Sequence, residues 1–374
     1  MVNYGFVIDN RKCIGCHACT VACKSEHDVP IGVNRTHVKY IEKGNYPDVT
    51  REFSVHRCNH CEDSPCTTIC PTTALFTRSD GIVDFDDDRC IGCKSCMQAC
   101  PYDALYIDPN KGTAAKCNYC AHRIEHSYEP SCVIVCPTEA IISGDLDDPN
   151  SSISGYLSEH ETIVRKPESG AKPNVYYVET SEDSLDPHAT ERSGEYLWTD
   201  QAAGVGHFAK YAESRAGAAD TQSMIIQLAL EKKARAAAPR DRAIIRDVME
   251  KLDDEQENVK RSYDQPSKGV LWGWEVSAYV FTKAVACGAY LVAMMMMLSG
   301  YLEMTDGLWW RLLTVSISCL GITGILLVLD LDRPERFLYV MLRPNWDSWL
   351  VKGAYLLGGF GGVLGCSFLV LLLD

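Results

Sequence analysis

The stretch Cys13-Ile-Gly-Cys-His-Ala-Cys-Thr-Val-Ala-Cys23 sets a pattern that runs through the first 136 residues of the chain. Its spacing, C-x2-C-x2-C-x3-C, returns unchanged at residues 90–100, and two longer variants occur at 58–70 and 117–136. Each of the last three groups is followed directly by a proline. The four groups hold sixteen of the nineteen cysteines: Cys13, Cys16, Cys19, Cys23, Cys58, Cys61, Cys66, Cys70, Cys90, Cys93, Cys96, Cys100, Cys117, Cys120, Cys132 and Cys136.

Three cysteines within seven residues are typical of loops that hold one face of a [4Fe–4S] cube. In bacterial ferredoxins the fourth cysteine of such a run ligates a different cluster, so four runs predict a chain that carries single electrons. Structural zinc instead favours two C-x2-C pairs around one tetrahedral ion. Disulfides need an oxidising compartment and do not repeat one ligand spacing four times. The pattern therefore predicts iron–sulfur clusters.

Composition narrows the function further. The chain has 374 residues and a net charge of −14, whereas nucleic-acid binding requires a basic footprint. There is no nucleophile–base pair and no G-x-G-x-x-G fingerprint, so we assign no catalytic residue and expect substrate chemistry on a partner. The remaining cysteines, Cys287, Cys319 and Cys366, lie in apolar stretches and are interpreted as small buried hydrophobes.

Three apolar runs near the C-terminus, at 276–300, 308–329 and 349–373, are long enough to cross a bilayer. Tryptophans accompany each run, as interfacial anchors do in membrane proteins. These tryptophans are Trp272, Trp274, Trp309, Trp310, Trp346 and Trp349. We therefore predict three transmembrane helices and a multi-pass protein of the cell membrane.

Local patterns predict the other elements. The first nine residues lack the features of a signal peptide and indicate a strand, and an apolar strand is expected after each Cys-Pro. The stretch from 147 to about 204 is rich in Ser, Pro, Gly and acidic residues, which predicts an extended strap with one strand at 175–178. Two amphipathic helices, one capped by Asp220 and one starting at Pro239, are expected to dock on a partner or the membrane surface.

The predicted fold is therefore α+β. A tandem bacterial-ferredoxin-like domain is expected over 1–150, and a strap with amphipathic helices over 151–270. Transmembrane helices are expected over 271–374.

Four motifs carry a resemblance to a known family. They are Cys13-Ile-Gly-Cys-His-Ala-Cys, Arg57-Cys-Asn-His-Cys, Cys90-Ile-Gly-Cys-Lys-Ser-Cys and Lys116-Cys-Asn-Tyr-Cys. The N-terminal 150 residues resemble the four-cluster electron-transfer subunits of membrane-bound molybdopterin oxidoreductases of the dimethyl sulfoxide and polysulfide reductase type. Some relatives replace a cysteine of the third group and hold a [3Fe–4S] centre. This chain keeps all sixteen, so the resemblance implies four [4Fe–4S] clusters.

The resemblance also implies that fourth ligands are exchanged between groups, in agreement with the ferredoxin rule. Four ligand sets follow: Cys13, Cys16, Cys19 with Cys136; Cys117, Cys120, Cys132 with Cys23; Cys58, Cys61, Cys66 with Cys100; and Cys90, Cys93, Cys96 with Cys70.

The C-terminal hundred residues resemble the start of an NrfD-type, quinone-reacting membrane subunit. The matching residues are Trp272-Gly-Trp-Glu, Tyr279, Asp330-Leu-Asp-Arg-Pro-Glu-Arg-Phe, Ser348-Trp and Gly353. Complete NrfD-type subunits have eight or more helices, and three are expected here. The resemblance therefore implies a split or partial membrane subunit, whose remaining NrfD-type helices lie on another chain.

Glu275, Tyr279 and Lys283 recur every four residues and so share one face of the first span. Ionisable residues in a membrane span are functional candidates, so this face is interpreted as part of a quinone pocket or proton path. An equally weighted alternative is a lysine that snorkels to the interface or pairs with an acid such as Asp330.

Arginines bear on which side of the membrane the clusters occupy. The second join carries Arg333, Arg336 and Arg343, whereas the first join carries only Arg311. The positive-inside rule then favours the cytoplasmic side for the second join and the cluster domain. Docking of an acidic cluster domain onto the loop would explain the same arginines, and an exported catalytic partner could carry the chain across.

We therefore expect an electron-transfer subunit that connects a molybdopterin catalytic subunit to the membrane quinone pool. Its expected partners are that catalytic subunit, further NrfD-type helices, lipid and quinone. His17, His56 and His60 lie beside cysteine ligands and are candidates for hydrogen bonds that tune cluster potentials. Two alternatives remain open: the iron–sulfur and membrane part of an alternative-complex-III-like quinol oxidoreductase that passes electrons to a cytochrome, and a structural zinc-binding membrane scaffold.

Overall fold

The computed structural model describes residues 2–45, 48–185, 191–192, 259–263, 272–301, 303 and 305–373. These residues form two compact units. The first unit draws on Met1–Asp63, Ser79–Ile82 and Lys116–Val270, and the second on Ser64–Arg78, Val83–Ala115 and Leu271–Asp374. The amphipathic helices predicted at Asp220 and Pro239 lie outside the described residues.

The elements follow the cysteine loops along the chain. The strands are β1 Tyr4–Asp9, β2 His37–Asn45, β3 Asp48–His56, β4 Leu75–Thr77, β5 Val83–Phe85, β6 Tyr106–Asp108, β7 Thr113–Ala115, β8 Ile141–Asp145, β9 Thr162–Val164, β10 Val175–Val178, β11 Glu191–Arg192 and β12 Val259–Tyr263. The helices are α1 Ala18–Glu26, α2 Pro65–Ile69, α3 Ser95–Ala99, α4 Ala121–Ile124, α5 Ser131–Ile134, α6 Ser152–Glu159, α7 Glu182–Leu185, α8 Trp274–Leu298, α9 Asp306–Leu329, α10 Tyr339–Leu342 and α11 Trp349–Leu373.

The core of the first unit is a four-stranded sheet in the order β8-β1-β10-β9. Strand β1 is antiparallel to β8 and parallel to β10. Its sequence is apolar on both faces, and Phe6, Val7 and Ile8 are all fully buried. Helix α6 covers one face through Ile153, while Phe6 packs on the other face with Tyr119 and Tyr177. The predicted strand at the N-terminus is therefore confirmed, as a central strand buried on both faces.

A second sheet of the first unit has the order β11-β12-β2-β3. Strands β2 and β3 form a regular antiparallel hairpin that pairs His37 with His56 and continues to Asn45 opposite Asp48. Val38 and Val55 are buried on the core side of this hairpin. The hairpin was not predicted from the sequence.

The cluster-bearing part of the second unit has little secondary structure. Two short hairpins, β4–β5 and β6–β7, pack with the single-turn helices α2 and α3. Leu75, Val83, Met97 and Leu105 fill the centre of this small core, together with cysteine side chains. The strands predicted after Pro71 and Pro101 are thus present as β4 and β6.

Helices α8, α9 and α11 have the length and apolar composition needed to cross a membrane, which confirms the three predicted spans. Tyr290, Leu313 and Leu364 form a buried contact among the three helices. The hydroxyl groups of Thr282 and Thr323 lie 2.7 Å apart, linking α8 to α9. Such hydroxyl contacts between helices are typical of membrane bundles.

The segment after residue 147 has more regular structure than the extended strap expected from its composition. Ser151 caps α6, because its hydroxyl accepts a hydrogen bond from the Ser154 amide at 3.2 Å. The expected strand at 175–178 is confirmed as β10, but it pairs with β1 in the central sheet. Polar composition concealed this role, because only a few side chains of the segment, such as Val175 and Tyr177, enter the core.

Candidate iron–sulfur centres

A cavity in the second unit has four cysteines in its lining. These are Cys70 from the second group and Cys90, Cys93 and Cys96 from the third. Apolar and small side chains, including Leu75, Phe85, Ile91 and Ala114, complete the wall. Four thiols that converge on a space with an apolar lining are what a [4Fe–4S] cube requires, so the residues present fit that cofactor.

The spacing of the sulfur atoms also bears on zinc. A single tetrahedral zinc ion with Zn–S bonds of about 2.3 Å needs sulfur atoms about 4 Å apart. Among the described residues, no group of three or more His, Cys, Asp or Glu side chains is gathered closely enough to hold one metal ion. All nineteen cysteines are also free of disulfides.

The first and third cysteine loops have positive φ at the same two positions of the motif. Gly15 and His17 in the first loop have φ of 66° and 58°, and Gly92 and Lys94 in the third have 70° and 60°. Glycine is needed at the first of these positions, because a Cβ on Gly92 would lie 2.6 Å from Asp332 Cβ and 2.8 Å from a backbone oxygen. Two cysteines of each loop precede the following helix, and the third, Cys19 or Cys96, lies in the first turn of that helix.

In the first unit, Cys13 and Cys23 each lie near sulfurs of the fourth cysteine group. Burial raises the pKa of the Cys13 thiol, and the nearby Cys136 and Cys16 sulfurs raise it further. Burial likewise raises the pKa of Cys23 to about 12, with Cys132 and Cys120 adding to the effect. Bare thiolates are therefore disfavoured at neutral pH, and a bound metal is what deprotonates such thiols.

The set of Cys58, Cys61, Cys66 and Cys100 is divided between the units. Cys58 and Cys61 are buried just after β3 in the first unit, whereas Cys66 and Cys100 contribute to the core of the second. Its assignment as one ligand set stays a prediction.

Arg57 and His27 contact cysteine sulfurs, and neither had been assigned a role from the sequence. The guanidinium of Arg57 donates from Nη1 to Cys132 Sγ at 3.1 Å. The Nε2 atom of His27 lies 3.2 Å from Cys120 Sγ. Burial, followed by the charges of Arg35 and His122, lowers the pKa of His27 to about 4, so its ring is neutral at physiological pH. Arg57 stands in a quoted motif, but nothing in the sequence pointed to His27.

The three histidines predicted to tune the clusters occupy different surroundings. His17 Nε2 lies 3.1 Å from the Tyr40 hydroxyl. The His56 ring stacks on His37, and His60 is fully buried edge-on to Tyr119. Their effect on cluster potentials stays a prediction.

The membrane segment, residues 272–373, holds the cluster loops of the second unit by their backbone carbonyls. Arg336 Nη1 donates to the Asp87 and Cys90 carbonyls at 2.6 and 3.1 Å. Arg333 Nε donates to the Lys111 carbonyl at 2.6 Å. Three further donors, Asn345, Ser348 and Trp272, reach the carbonyls of Cys70, Ile69 and Cys93 at 2.7, 2.7 and 3.3 Å.

Apolar and charged contacts reinforce this arrangement. Ile91, between two cysteines, packs on Val340 and Val351 of the membrane segment. The Lys94 ammonium lies 3.2 Å from the Asp332 carboxylate. Burial raises the pKa of Asp332, while the neighbouring Lys94 opposes that rise. The membrane segment therefore touches the loop of the four-cysteine cavity on several sides.

These contacts give a structural role to arginines of the second join that had been used to predict the side of the membrane. Arg333 and Arg336 bind loop carbonyls, and Arg343 lies over the Tyr339 ring at 5.3 Å. Docking was one of the alternatives open at the sequence level, and it accounts for two of the three arginines without any membrane-side preference. The side of the membrane stays a prediction.

The polar face of the first span is only partly enclosed. The Lys283 ammonium is exposed and lies 6.0 Å from the centroid of the Tyr279 ring. Near the start of this helix, Glu275 faces Asp330 just after α9. Burial raises the pKa of the Asp330 carboxyl, Lys94 opposes the rise, and Glu275 adds to it. Glu275 thus lies near Asp330, which is close to Lys94 of the cluster loop, while Lys283 lies further along α8.

Comparisons with known proteins agree with this geometry. The family described as 4Fe-4S dicluster domain matches residues 49–146, and the family described as Polysulphide reductase, NrfD matches residues 264–374. An iron-sulfur subunit of dimethyl sulfoxide reductase from Halobacterium salinarum is 38% identical over 234 residues, which cover 54% of this chain and 89% of that protein.

Two other relatives match the same part of the sequence. A polysulfide reductase protein of Wolinella succinogenes is 43% identical over 178 residues, covering 47% of this chain and 93% of the relative. A tetrathionate reductase protein of Salmonella typhimurium is 44% identical over 179 residues, covering 47% and 72%.

Fold and cysteine arrangement define a ferredoxin-type electron carrier with membrane helices. The protein belongs to the iron–sulfur electron-transfer subunits of the membrane-bound dimethyl sulfoxide and polysulfide reductase family, fused here to an NrfD-type membrane segment. It is a membrane protein with [4Fe–4S] cofactors, and it works with a catalytic partner subunit. The predicted family, fold class and cofactor are confirmed.

Proposed function

We propose that this chain relays single electrons between a molybdopterin-containing catalytic subunit and membrane quinone. The cavity of Cys70, Cys90, Cys93 and Cys96, whose loop is held by the membrane segment, is the observation that carries the proposal. When bound, each [4Fe–4S] cluster accepts and releases one electron. The protein's own contribution is to hold the thiols, exclude water and fix the loop against the quinone-reacting part.

The proposed ligand sets exchange their fourth cysteines. Cys70 joins the third group, and its place in the lining of the cavity supports this assignment. The neighbourhood of Cys13 with Cys136, and of Cys23 with Cys120 and Cys132, supports the two sets of the first unit. The divided set of Cys58, Cys61, Cys66 and Cys100 follows by analogy with these three.

Electron exchange with quinone is proposed at the set that includes Cys70. Trp272, Arg336 and Asn345 bind carbonyls beside its cysteines, so a quinone next to the start of α8 would be near this set. Glu275, Tyr279 and Lys283 are proposed as the adjoining polar path for protons. Exchange with the catalytic subunit is proposed at the set that includes Cys16, because Cys16 is the most exposed of the sixteen cysteines.

The membrane environment of the proposal includes lipid, quinone and further NrfD-type helices. Large apolar side chains such as Phe281, Leu298 and Leu356 are 69%, 81% and 75% exposed, which supports contact with lipid or with such helices. The cluster domain is proposed on the cytoplasmic side because Arg343 lies in the second join and Lys352 follows at the start of the third span. Domain limits at 150 and 270 also stay proposals.

Metal analysis of the complex purified without oxygen tests the proposal. Four cubes require about sixteen iron atoms per chain, and dithionite should reduce all of them. A quinol added to the same sample should reduce at least one cluster, seen by electron paramagnetic resonance (EPR). Zinc in place of iron, an iron content of about twelve atoms, an oxidised [3Fe–4S] signal before air exposure, or clusters that no quinol reduces would each contradict it.

A further inference from the structure

Arg57 is a cation in the core of the first unit. It is 1% exposed, and its guanidinium carbon lies 4.5 Å from the centroid of the Phe6 ring. Among the described residues it has one hydrogen bond, from Nη1 to Cys132 Sγ, and no carboxylate pairs with it. Its Nε and Nη2 atoms are buried without a hydrogen-bond partner.

A guanidinium is rarely buried in this way. Removing a charge from water costs free energy that one ring contact and one sulfur contact do not return, so buried charges are normally paired. A second buried arginine has a backbone carbonyl as a partner. Arg165, also in the first unit, is 2% exposed and donates from Nε to the Leu185 carbonyl at 2.7 Å.

The groups that interact most strongly with the charge of Arg57 are cysteines of two proposed ligand sets. Cys132 and Cys117 belong to the set completed by Cys23, and Cys19 belongs to the set completed by Cys136. Arg57 therefore lies between two cluster sites of the first unit, with two N–H donors unused. Anionic clusters bound at those cysteines would supply the missing negative charge.

We propose that Arg57 is the shared counter-ion of the two clusters in the first unit and raises the reduction potential of both. This inference rests on the proposed ligand sets. A fixed positive charge favours the state that carries the extra electron, and low dielectric strengthens the effect. Arginine keeps its proton at all physiological pH values. Arg57 therefore forms no covalent bond and transfers no proton when a cluster is reduced.

The internal repeat of the sequence supports a functional role for the positive charge of Arg57. Arg57 directly precedes Cys58 in Arg57-Cys-Asn-His-Cys, and Lys116 directly precedes Cys117 in Lys116-Cys-Asn-Tyr-Cys. Lys116 is also fully buried. A cation thus occupies the same buried position in both copies of the repeat. Arginine suits the place between two sites, because its planar fork presents donors in several directions.

Redox titration of the intact membrane complex, followed by EPR, tests the inference. Arg57→Gln removes the charge, Arg57→Lys keeps it, and Arg165→Gln removes a buried cation whose hydrogen bond goes to a backbone carbonyl. We expect Arg57→Gln to lower the potentials of two of the four clusters by at least 59 mV, a tenfold change in a one-electron equilibrium. The other two clusters of Arg57→Gln should keep their wild-type potentials. All four clusters should keep them in Arg57→Lys and in Arg165→Gln.

The outcomes separate this inference from the proposed function. Four clusters with unchanged potentials in Arg57→Gln, or an equal shift of all four, would overturn the role of Arg57 and leave the electron relay intact. A wild-type protein without four clusters would instead remove the relay. If Arg57→Gln fails to assemble, Arg57→Lys decides: assembly with wild-type potentials supports a charge requirement, and failure of that variant as well overturns it.

Discussion

The loop of Cys13, Cys16 and Cys19 and the loop of Cys90, Cys93 and Cys96 have the same spacing, but different parts of the chain cover them. In the first unit, the β2–β3 hairpin covers the loop: Phe53 packs on Gly15, and the Tyr40 hydroxyl donates to the Gly15 carbonyl at 2.6 Å. In the second unit, the membrane segment does so, with Asp332 against Gly92 and Arg336 on the Cys90 carbonyl.

The difference indicates that the cysteine motif fixes the loop backbone but not its surroundings. Positive φ at Gly15 and Gly92 exposes backbone carbonyls on the outside of each turn, and any nearby donor can bind them. A hairpin of the cluster domain and a loop between membrane helices are two solutions to the same requirement. Exchange of electrons with membrane quinone is proposed where the second solution is used.

The largest effect is expected from removing a ligand that crosses between groups. Cys136→Ser should disturb the cluster held by Cys13, Cys16 and Cys19, and lower the iron content from about sixteen toward about twelve atoms. Iron analysis and EPR check this, with Cys366→Ser as a control outside the sixteen ligands. A change confined to the cluster of Cys117, Cys120 and Cys132 would show that the fourth ligands are not exchanged.

Arg336→Ala should leave all four clusters in place but impair quinol oxidation. The change removes two hydrogen bonds from a charged donor, each contributing about 1.5–3 kcal/mol, and so loosens the third-group loop from the membrane segment. We expect reduction of the clusters by quinol to slow by about tenfold, which corresponds to about 1.4 kcal/mol. Reduction by dithionite should be unchanged.

Arg311→Ala, near the start of α9, is the matched control because Arg311 is exposed. If quinol reduced the clusters equally slowly in both arginine variants, the effect would be due to surface charge. The contrast between the hairpin over the first loop and the membrane segment over the third loop would then have no functional support.

A smaller effect on the same reaction is expected from Lys283→Met. The clusters should remain reducible by dithionite, while quinone-linked turnover slows because a charged group of the proposed proton path is lost. Steady-state turnover at two quinone concentrations measures this. Unchanged turnover would favour a lysine that only snorkels, and loss of all cluster signals would indicate an assembly defect.

The smallest effect is expected in the first unit, away from the clusters. Burial alone raises the pKa of Asp9, but hydrogen bonds from Arg11 and Tyr156 outweigh burial and hold the pKa at about 2. The group then stabilises the fold above its unfolded pKa of about 3.9, and this stability is lost as the pH falls through 4 toward 2.

Asp9→Asn should therefore weaken β1 and α6 by about 1–2 kcal/mol at neutral pH. Hydrogen exchange of peptides covering β1 and α6 should become about 5–30 times faster at pH 7 and at pH 6 alike. Glu168→Gln, at an exposed position of the same unit, is the control. A difference that already disappears between pH 7 and pH 6 would contradict the low pKa of Asp9.

Sequence reasoning succeeded where one short pattern determines the structure. The cysteine spacing predicted the cofactor and both ferredoxin-like halves, and hydropathy placed the ends of the three spans within two residues of α8, α9 and α11. It missed the β2–β3 hairpin, whose strand residues mix charged and apolar side chains without a clear alternation. It also missed contacts between residues distant in sequence, such as His27 with Cys120, which depend on how the chain folds back on itself.

The hydrogen bonds from the membrane segment to the cluster loops affect how the sequence of these loops can evolve. Because the acceptors of Arg336, Asn345 and Ser348 are main-chain carbonyls, the loop side chains can change over evolution without loss of these bonds. The contacts also do not depend on a continuous polypeptide. In the polysulfide reductase protein of Wolinella succinogenes the matched part is 93% of the protein, whereas here it is 47%. Joining the cluster domain and the membrane segment in one chain raises the effective local concentration of the contacting surfaces. On separate chains the same surfaces would still be able to bind each other.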